Sequence, residues 1–119
     1  MTTISLPSTS IGWHDVVDVS QLLPDRGVAA LVEGVQVAIF LLPEGEVHAI
    51  DNRDPISGAN VLSRGIVGDR AGRVVVASPL FKQCFELSSG LCLDDPDHRV
   101  AVHDARVVDG RVHVRLAHP

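Results

Sequence analysis

The chain carries a single lysine, Lys82, and no run of basic residues. Ten lysines and arginines stand against fifteen acidic residues, a formal charge of −5. A nucleic-acid binder needs a basic stripe to displace counterions from phosphates, so that class is excluded. An anionic membrane surface loses its support for the same reason. Long apolar runs are also missing. The longest, residues 37–42, falls far short of the roughly 20 residues of a membrane-spanning helix. Cys84 and Cys92 are the only cysteines. Two are too few for a secreted disulfide framework, and both are expected to be free thiols. No G-x-G-x-x-G follows a strand pattern, so the dinucleotide fingerprint is absent. No G-x-S-x-G elbow marks a hydrolase, and no histidine spacing pairs with Cys84 as a nucleophile. Residues 1–12 are Thr/Ser-rich, without a basic start or an apolar core. They are expected to form a flexible tail rather than a secretory signal, on a cytoplasmic protein.

What is present is a core. Hydrophobic residues make up 45% of the 119 and mean hydropathy is +0.22, which suits one folded domain, expected over residues 13–117. Valine is abundant, and β-branched residues favour strands. Residues 27–32 and 35–42 flank Glu33-Gly34, a hairpin signal. A strand over 47–51 follows the turn Pro43-Glu44-Gly45. Residues 52–73 hold Pro55, Gly58, Gly65, Gly68 and Gly72 and read as a long loop. Residues 73–77 resume a strand, and 78–83 form a second loop before Phe85-Glu86-Leu87. Near the end, Asp109-Gly110 separates two apolar-alternating stretches, the pattern of a two-residue type I′ turn. Pairing outward from it sets Asp104 opposite Arg115. Val112, Val114 and Leu116 then share one face, and Arg111, His113 and Arg115 the other. Ser20 to Leu23 could make one short helical turn, and no longer segment shows a helical period. The fold class is all-β: a sandwich of small antiparallel sheets with two long loops at one end.

Those loops carry a resemblance. The first reads Asn52-Arg53-Asp54-Pro55-Ile56. The second reads Ser78-Pro79-Leu80-Phe81, ahead of Phe85-Glu86-Leu87-Ser88-Ser89-Gly90. This layout resembles a Rieske domain, whose loops carry Cys-x-His and Cys-x-x-His around a [2Fe–2S] cluster. By that resemblance the four ligand positions fall on Asp54, Ile56, Ser78 and Phe81, which are not a competent ligand set. Cys84 lies three residues beyond the last of them.

Residues 49–55 (Ala-Ile-Asp-Asn-Arg-Asp-Pro), 61–65 (Val-Leu-Ser-Arg-Gly), 77–80 (Ala-Ser-Pro-Leu), Lys82-Gln83 with Phe85, and Gly90-Leu91-Cys92 narrow the likeness. With the closing Ala105-Arg106-Val107 and Asp109-Gly110, the chain resembles the small subunit of NADH-dependent nitrite reductase over residues 13–116. The resemblance implies a cluster-less, non-catalytic subunit with no metal or cofactor of its own. Its large partner subunit would hold FAD, siroheme, a [4Fe–4S] cluster and the NADH site, and would reduce nitrite to ammonium. Arg53, Asp54, Arg64, Lys82 and Gln83 are the candidate partner contacts. Arg64 could instead bond carbonyls of its own loop. Ile56 and Phe81 are expected to pack into the space the cluster would fill. His98, His103 and His113 are expected at the surface, His48 half-buried in its strand, His118 at a frayed end, and Trp13 as a core or rim aromatic. The alternative reading is a free-standing Rieske-like binding or regulatory module attached to another oxidoreductase.

Overall fold

The structure is a computed structural model and describes residues 12–117. Residues 1–11 of the expected tail, and His118, lie outside the described residues. Nine strands run β1 (Trp13–Asp18), β2 (Gly27–Val32), β3 (Val35–Leu41), β4 (Val47–Asp51), β5 (Ile66–Arg70), β6 (Arg73–Ala77), β7 (Cys84–Glu86), β8 (Val102–Val108) and β9 (Arg111–Arg115). They form a six-stranded sheet in the order β1-β9-β8-β4-β3-β2 and a three-stranded sheet in the order β5-β6-β7. Every pairing between these strands is antiparallel.

The apolar run at 37–42 has a direct cause. Ala38, Phe40 and Leu42 point into one buried cluster, shared with Ile50, Leu62, Val76, Phe85 and Leu87. Val37 and Ile39 point the opposite way, into a second cluster with Ala49, Val112 and Val114. A strand buried on both faces shows no polar alternation, because neither set of side chains meets water. The first cluster fills the space against the three-stranded sheet and its loops.

The Glu33-Gly34 and Asp109-Gly110 hairpins form as the sequence leads one to expect, both with positive φ at the two turn residues. Asp104 pairs with Arg115 and binds it at 2.7 Å. Val112 and Val114 share a buried face, while His113, on the other face, is buried as well.

Residues 52–73 are not one loop, because β5 lies within them. Gly68 interrupts β5, and pairing along only one side leaves it mostly exposed, so no alternation marks it. Its turn to β6, Ala71-Gly72, is again of the two-residue kind, with φ of 54° and 85°. Alanine there hides the turn from sequence reading. One helical turn forms at Val19–Gln21, capped by the Asp18 carboxylate, which accepts from Ser20 N–H at 2.9 Å.

Candidate functional site

The first loop leaves β4 through Asn52, whose buried side chain brackets it. Its Oδ1 accepts from Ser63 N–H at 2.7 Å and its Nδ2 donates to Gln36. Sequence reading missed this role. The available signal was an asparagine placed where a strand breaks into a loop, since such side chains bond nearby backbone.

Two residues on, Asp54 is fully buried. Its Oδ1 accepts from the Ile56 and Ser57 backbone N–H groups at 2.8 and 3.4 Å. Its Oδ2 accepts from the hydroxyl of Ser78 at 2.6 Å. Ser78, also buried, begins the second loop, and its Oγ in turn accepts from Leu80 N–H. Two backbone bonds close that loop, Lys82 N–H to Ser78 O and Ser78 N–H to Gln83 O, both 2.9 Å. A buried carboxylate is costly unless hydrogen-bonded, and here three donors from two loops meet it. The pair ties the loops together.

This arrangement decides where the flanking side chains go. Ile56 packs against the first core cluster, as expected. Phe81 does not. It is 57% exposed and Leu80 50%, because the tight 78–82 turn projects its middle outward while Asp54 and Ser78 occupy the interior. Lys82, at φ 64°, is exposed beside them. Arg53 is exposed and reaches Gly58 O at 3.4 Å. Gln83 is half-buried, and its Oε1 finds no partner among the described residues. Arg64 is exposed as the last residue of the helical turn Leu62–Arg64, and its side chain bonds no carbonyl of its loop among the described residues. The structure thus brings Asp54, Ser78, Leu80, Phe81, Lys82 and Gln83 together and leaves Arg64 on a separate cleft with Arg26.

Cys84 begins β7 at the foot of the second loop, and both cysteines are free. The Cys84 N–H donates to Asp94, and Arg70 Nη1 reaches the same carboxylate, each at 2.8 Å. These bonds, the Cys84 N–H most strongly, hold the Asp94 carboxyl below its ordinary range.

The histidines correct expectation in two places. His103 is buried: its Nε2 lies 2.8 Å from Asp51 Oδ1, and its Nδ1 accepts from Ala117 N–H at 3.0 Å. His113 is buried near Asp15. His103 stands opposite Ala49, on the face of β8 that also turns Ala105 into the second cluster, and His113 lies between its pairing partners Asp15 and Arg106. His48 is half-buried, as expected, and His98 likewise rather than fully exposed. Trp13 opens β1 half-buried, with the Arg106 and Arg115 guanidinium groups 4.0 and 4.8 Å from its ring centre.

Residues 12–115 match the family of Rieske-like [2Fe-2S] domains. The chain is 47% identical over 104 residues, 87% of this chain and 96% of the relative, to the nitrite reductase (NADH) small subunit of Salmonella typhimurium. This chain belongs to the nitrite reductase small-subunit family, with a Rieske-like fold. A crystal structure of an NADH-dependent nitrite reductase small subunit from Mycobacterium tuberculosis superposes with a TM-score of 0.84. The two are 53% identical over 88% of this chain and 96% of that one. A nitrite reductase [NAD(P)H] large subunit from Klebsiella oxytoca is 36% identical over 110 residues, which is 92% of this chain and 11% of that protein.

The wider family's name implies a [2Fe–2S] cluster, and the donor chemistry of these loops does not fit one. Such a cluster needs two thiolates and two imidazoles. The loops offer a carboxylate and a hydroxyl already bonded to each other, and the side chains of Ile56 and Phe81 have no donor atom.

Proposed function

We propose that the chain is the non-catalytic small subunit of a cytoplasmic NADH-dependent nitrite reductase, acting through a large subunit. In this reading FAD, siroheme and a [4Fe–4S] cluster in the large subunit carry the reduction of nitrite to ammonium. The observation that carries it is the Asp54–Ser78 bond, on a chain of this family. A Rieske domain passes electrons through a cluster held between these loops. Here three of the vacated ligand positions, Asp54, Ile56 and Ser78, have become part of the packing, and the fourth, Phe81, faces solvent. A module that keeps its loops without their redox group serves by contact. The Klebsiella oxytoca large subunit supports that partnership, since a stretch similar to this whole domain lies within one polypeptide with the rest of that protein. No helix among the described residues is long and apolar enough to cross a membrane.

The second loop gives the contact its form. Leu80 and Phe81 present apolar surface beside Lys82, with Gln83 behind and Arg53 on the neighbouring loop. An exposed aromatic within a polar rim is a common anchor at protein interfaces. Asp54 is fully buried, with its backbone N–H and C=O bonded within the first loop, so it supports this contact by ordering the loop rather than by touching the partner.

The test is reconstitution. Purified alone, the chain should oxidise no NADH, reduce no nitrite and carry no stoichiometric iron. Added to its large subunit, it should raise nitrite-dependent NADH oxidation, and Lys82→Glu should weaken association by about 1–3 kcal/mol. Nitrite reduction by the isolated chain, or no effect on mixing, would overturn the reading.

A further inference from the structure

Most cationic side chains of this acidic chain are engaged. Arg70, Arg73, Arg111 and Arg115 bind carboxylates, and Arg53 and Arg99 bind carbonyls. Among the described residues the side chains of Arg26, Arg64 and Lys82 take neither a hydrogen bond nor an ion pair. Lys82 belongs to the loop tip already described. Arg26 and Arg64 stand on one cleft of about 550 Å³, lined also by Gly27, Ser63, Ile66 and Val67. Ile66 is 77% exposed, an uncommon degree for a side chain of its size.

The β5 strand lines this cleft, and one of its two edges is unpaired. Its register fixes which backbone groups point outward. Arg70 and Arg73 flank the two-residue turn, so they form a mutually bonded pair, and so do Gly68 with Val75 and Ile66 with Ala77. The intervening residues, Val67 and Asp69, therefore turn N–H and C=O to the free edge. No backbone bond outside the ladder uses them among the described residues. The charge along the edge is graded. Arg26 and Arg64 lie at its start, while Glu44 and Asp69 line the adjoining cleft at its far end, where Arg70 is paired with Asp94, and Asp25 stands between.

We infer that the free edge of β5, with Arg26 and Arg64, is a docking site for an extended acidic segment of the large subunit, which adds a strand beside Val67 and Asp69. The inference rests on the subunit reading above. Strand addition supplies affinity through the main chain, and side chains set direction. A carboxylate on the incoming segment would pair with the two arginines. The acidic far end would repel it, so only one orientation fits.

A second copy of this chain is a poorer occupant. Laid antiparallel on itself about Gly68, β5 sets Arg64 against the second copy's Gly72, with no carboxylate. Centred on Val67 it sets Arg64 against the second copy's Arg70, and centred on Asp69 it brings two carboxylates together. Like charges directly opposed destabilise a strand pair.

The experiment titrates the isotope-labelled chain with its holo large subunit. On complex formation the Val67 and Asp69 amides should exchange with solvent at least about tenfold more slowly, while Gly68, already bonded to β6, changes little. The double variant Arg26→Glu/Arg64→Glu should raise Kd at least about tenfold. Its melting temperature and amide spectrum should match the parent's, and Arg26→Gln/Arg64→Gln, with a smaller rise, serves if the reversal fails to fold. Parent-like affinity in a folded double variant overturns the inference. If Lys82→Glu still weakens binding in that case, the subunit reading survives. A parent chain that does not bind the large subunit sinks both. Protection of Val67 and Asp69 that appears on concentrating the chain alone assigns the edge to a second copy and also overturns the inference.

Discussion

The hydroxyl of Ser78 donates to the carboxylate of Asp54 at 2.6 Å, and the two lie 24 residues apart on different loops, both buried. Among the described residues Ser78 is the only side-chain donor to that carboxylate. Ser78→Ala should therefore cost about 1–3 kcal/mol, since it leaves a buried acceptor short of a partner. Asp54→Ala should cost more, because two backbone N–H groups on the first loop are stranded as well. Denaturant midpoints of both variants check this, and a Ser78→Ala midpoint equal to the parent's would remove the bond from the account of loop order.

Phe81 and Phe85 differ by four positions and in every physical respect. Phe85 is fully buried in the first core cluster, and Phe81 is mostly in water. Phe85→Ala should cost about 3–5 kcal/mol. Phe81→Ala should shift stability by no more than about 0.5 kcal/mol and show its effect in affinity for the large subunit. A large loss of stability in Phe81→Ala would mean that the second loop folds inward.

Asp94 supplies a pH dependence. Its carboxyl titrates below the ordinary range, first because the Cys84 N–H bonds the ionised form and then because Arg70 does. The folded value lies below the unfolded one, so the contribution is complete above about pH 4 and fades as pH falls further. Asp94→Asn should be less stable than the parent at neutral pH, and the gap should narrow below about pH 4. Unfolding curves at several pH values decide it. A gap that stays constant down to about pH 2.5 contradicts the assignment.

The hydrogen bonds around His103 select one tautomer. Its Nδ1 accepts from Ala117 N–H, so the proton of the neutral ring sits on Nε2 and is given to Asp51. Nitrogen-detected spectra at neutral pH should show a bare Nδ1 and a protonated Nε2. The reverse pattern would mean that Ala117 is not held there.

Gly27 lies where β2 crosses the Ser63 backbone. A Cβ on it would meet Ser63 O at 2.4 Å and a Phe40 ring carbon at 2.7 Å. Gly27→Ala should thus cost about 1–3 kcal/mol through displaced backbone. Thermal unfolding measures this, and an unchanged midpoint would show that the segment 62–64 can move aside.

The sequence is explicit wherever one residue type has one reason to be there. Asp109-Gly110 specifies its turn, and the run at 37–42 announces a strand covered on both faces. The loops betray their kinship through Pro55, Pro79 and their flanking residues. What stays hidden depends on partners distant in the chain. Nothing local says that Asp54 will find Ser78, nor that the second loop turns Phe81 outward. β5 is obscured by its glycine and by having only one neighbour. His103 and His113 look like surface residues until the fold sets His103 opposite Ala49 and His113 between β1 and β8. Arg26 and Arg64 are unrelated in the chain until the fold sets them on one cleft.

The strand β3 belongs to both apolar clusters, with Phe40 on one side and Ile39 on the other. Losing this strand would empty both clusters at once. Opening should therefore begin at the periphery, and the amides of β3 should be among the slowest to exchange. A partner can then remodel the rim of the domain at small cost and leave its centre untouched.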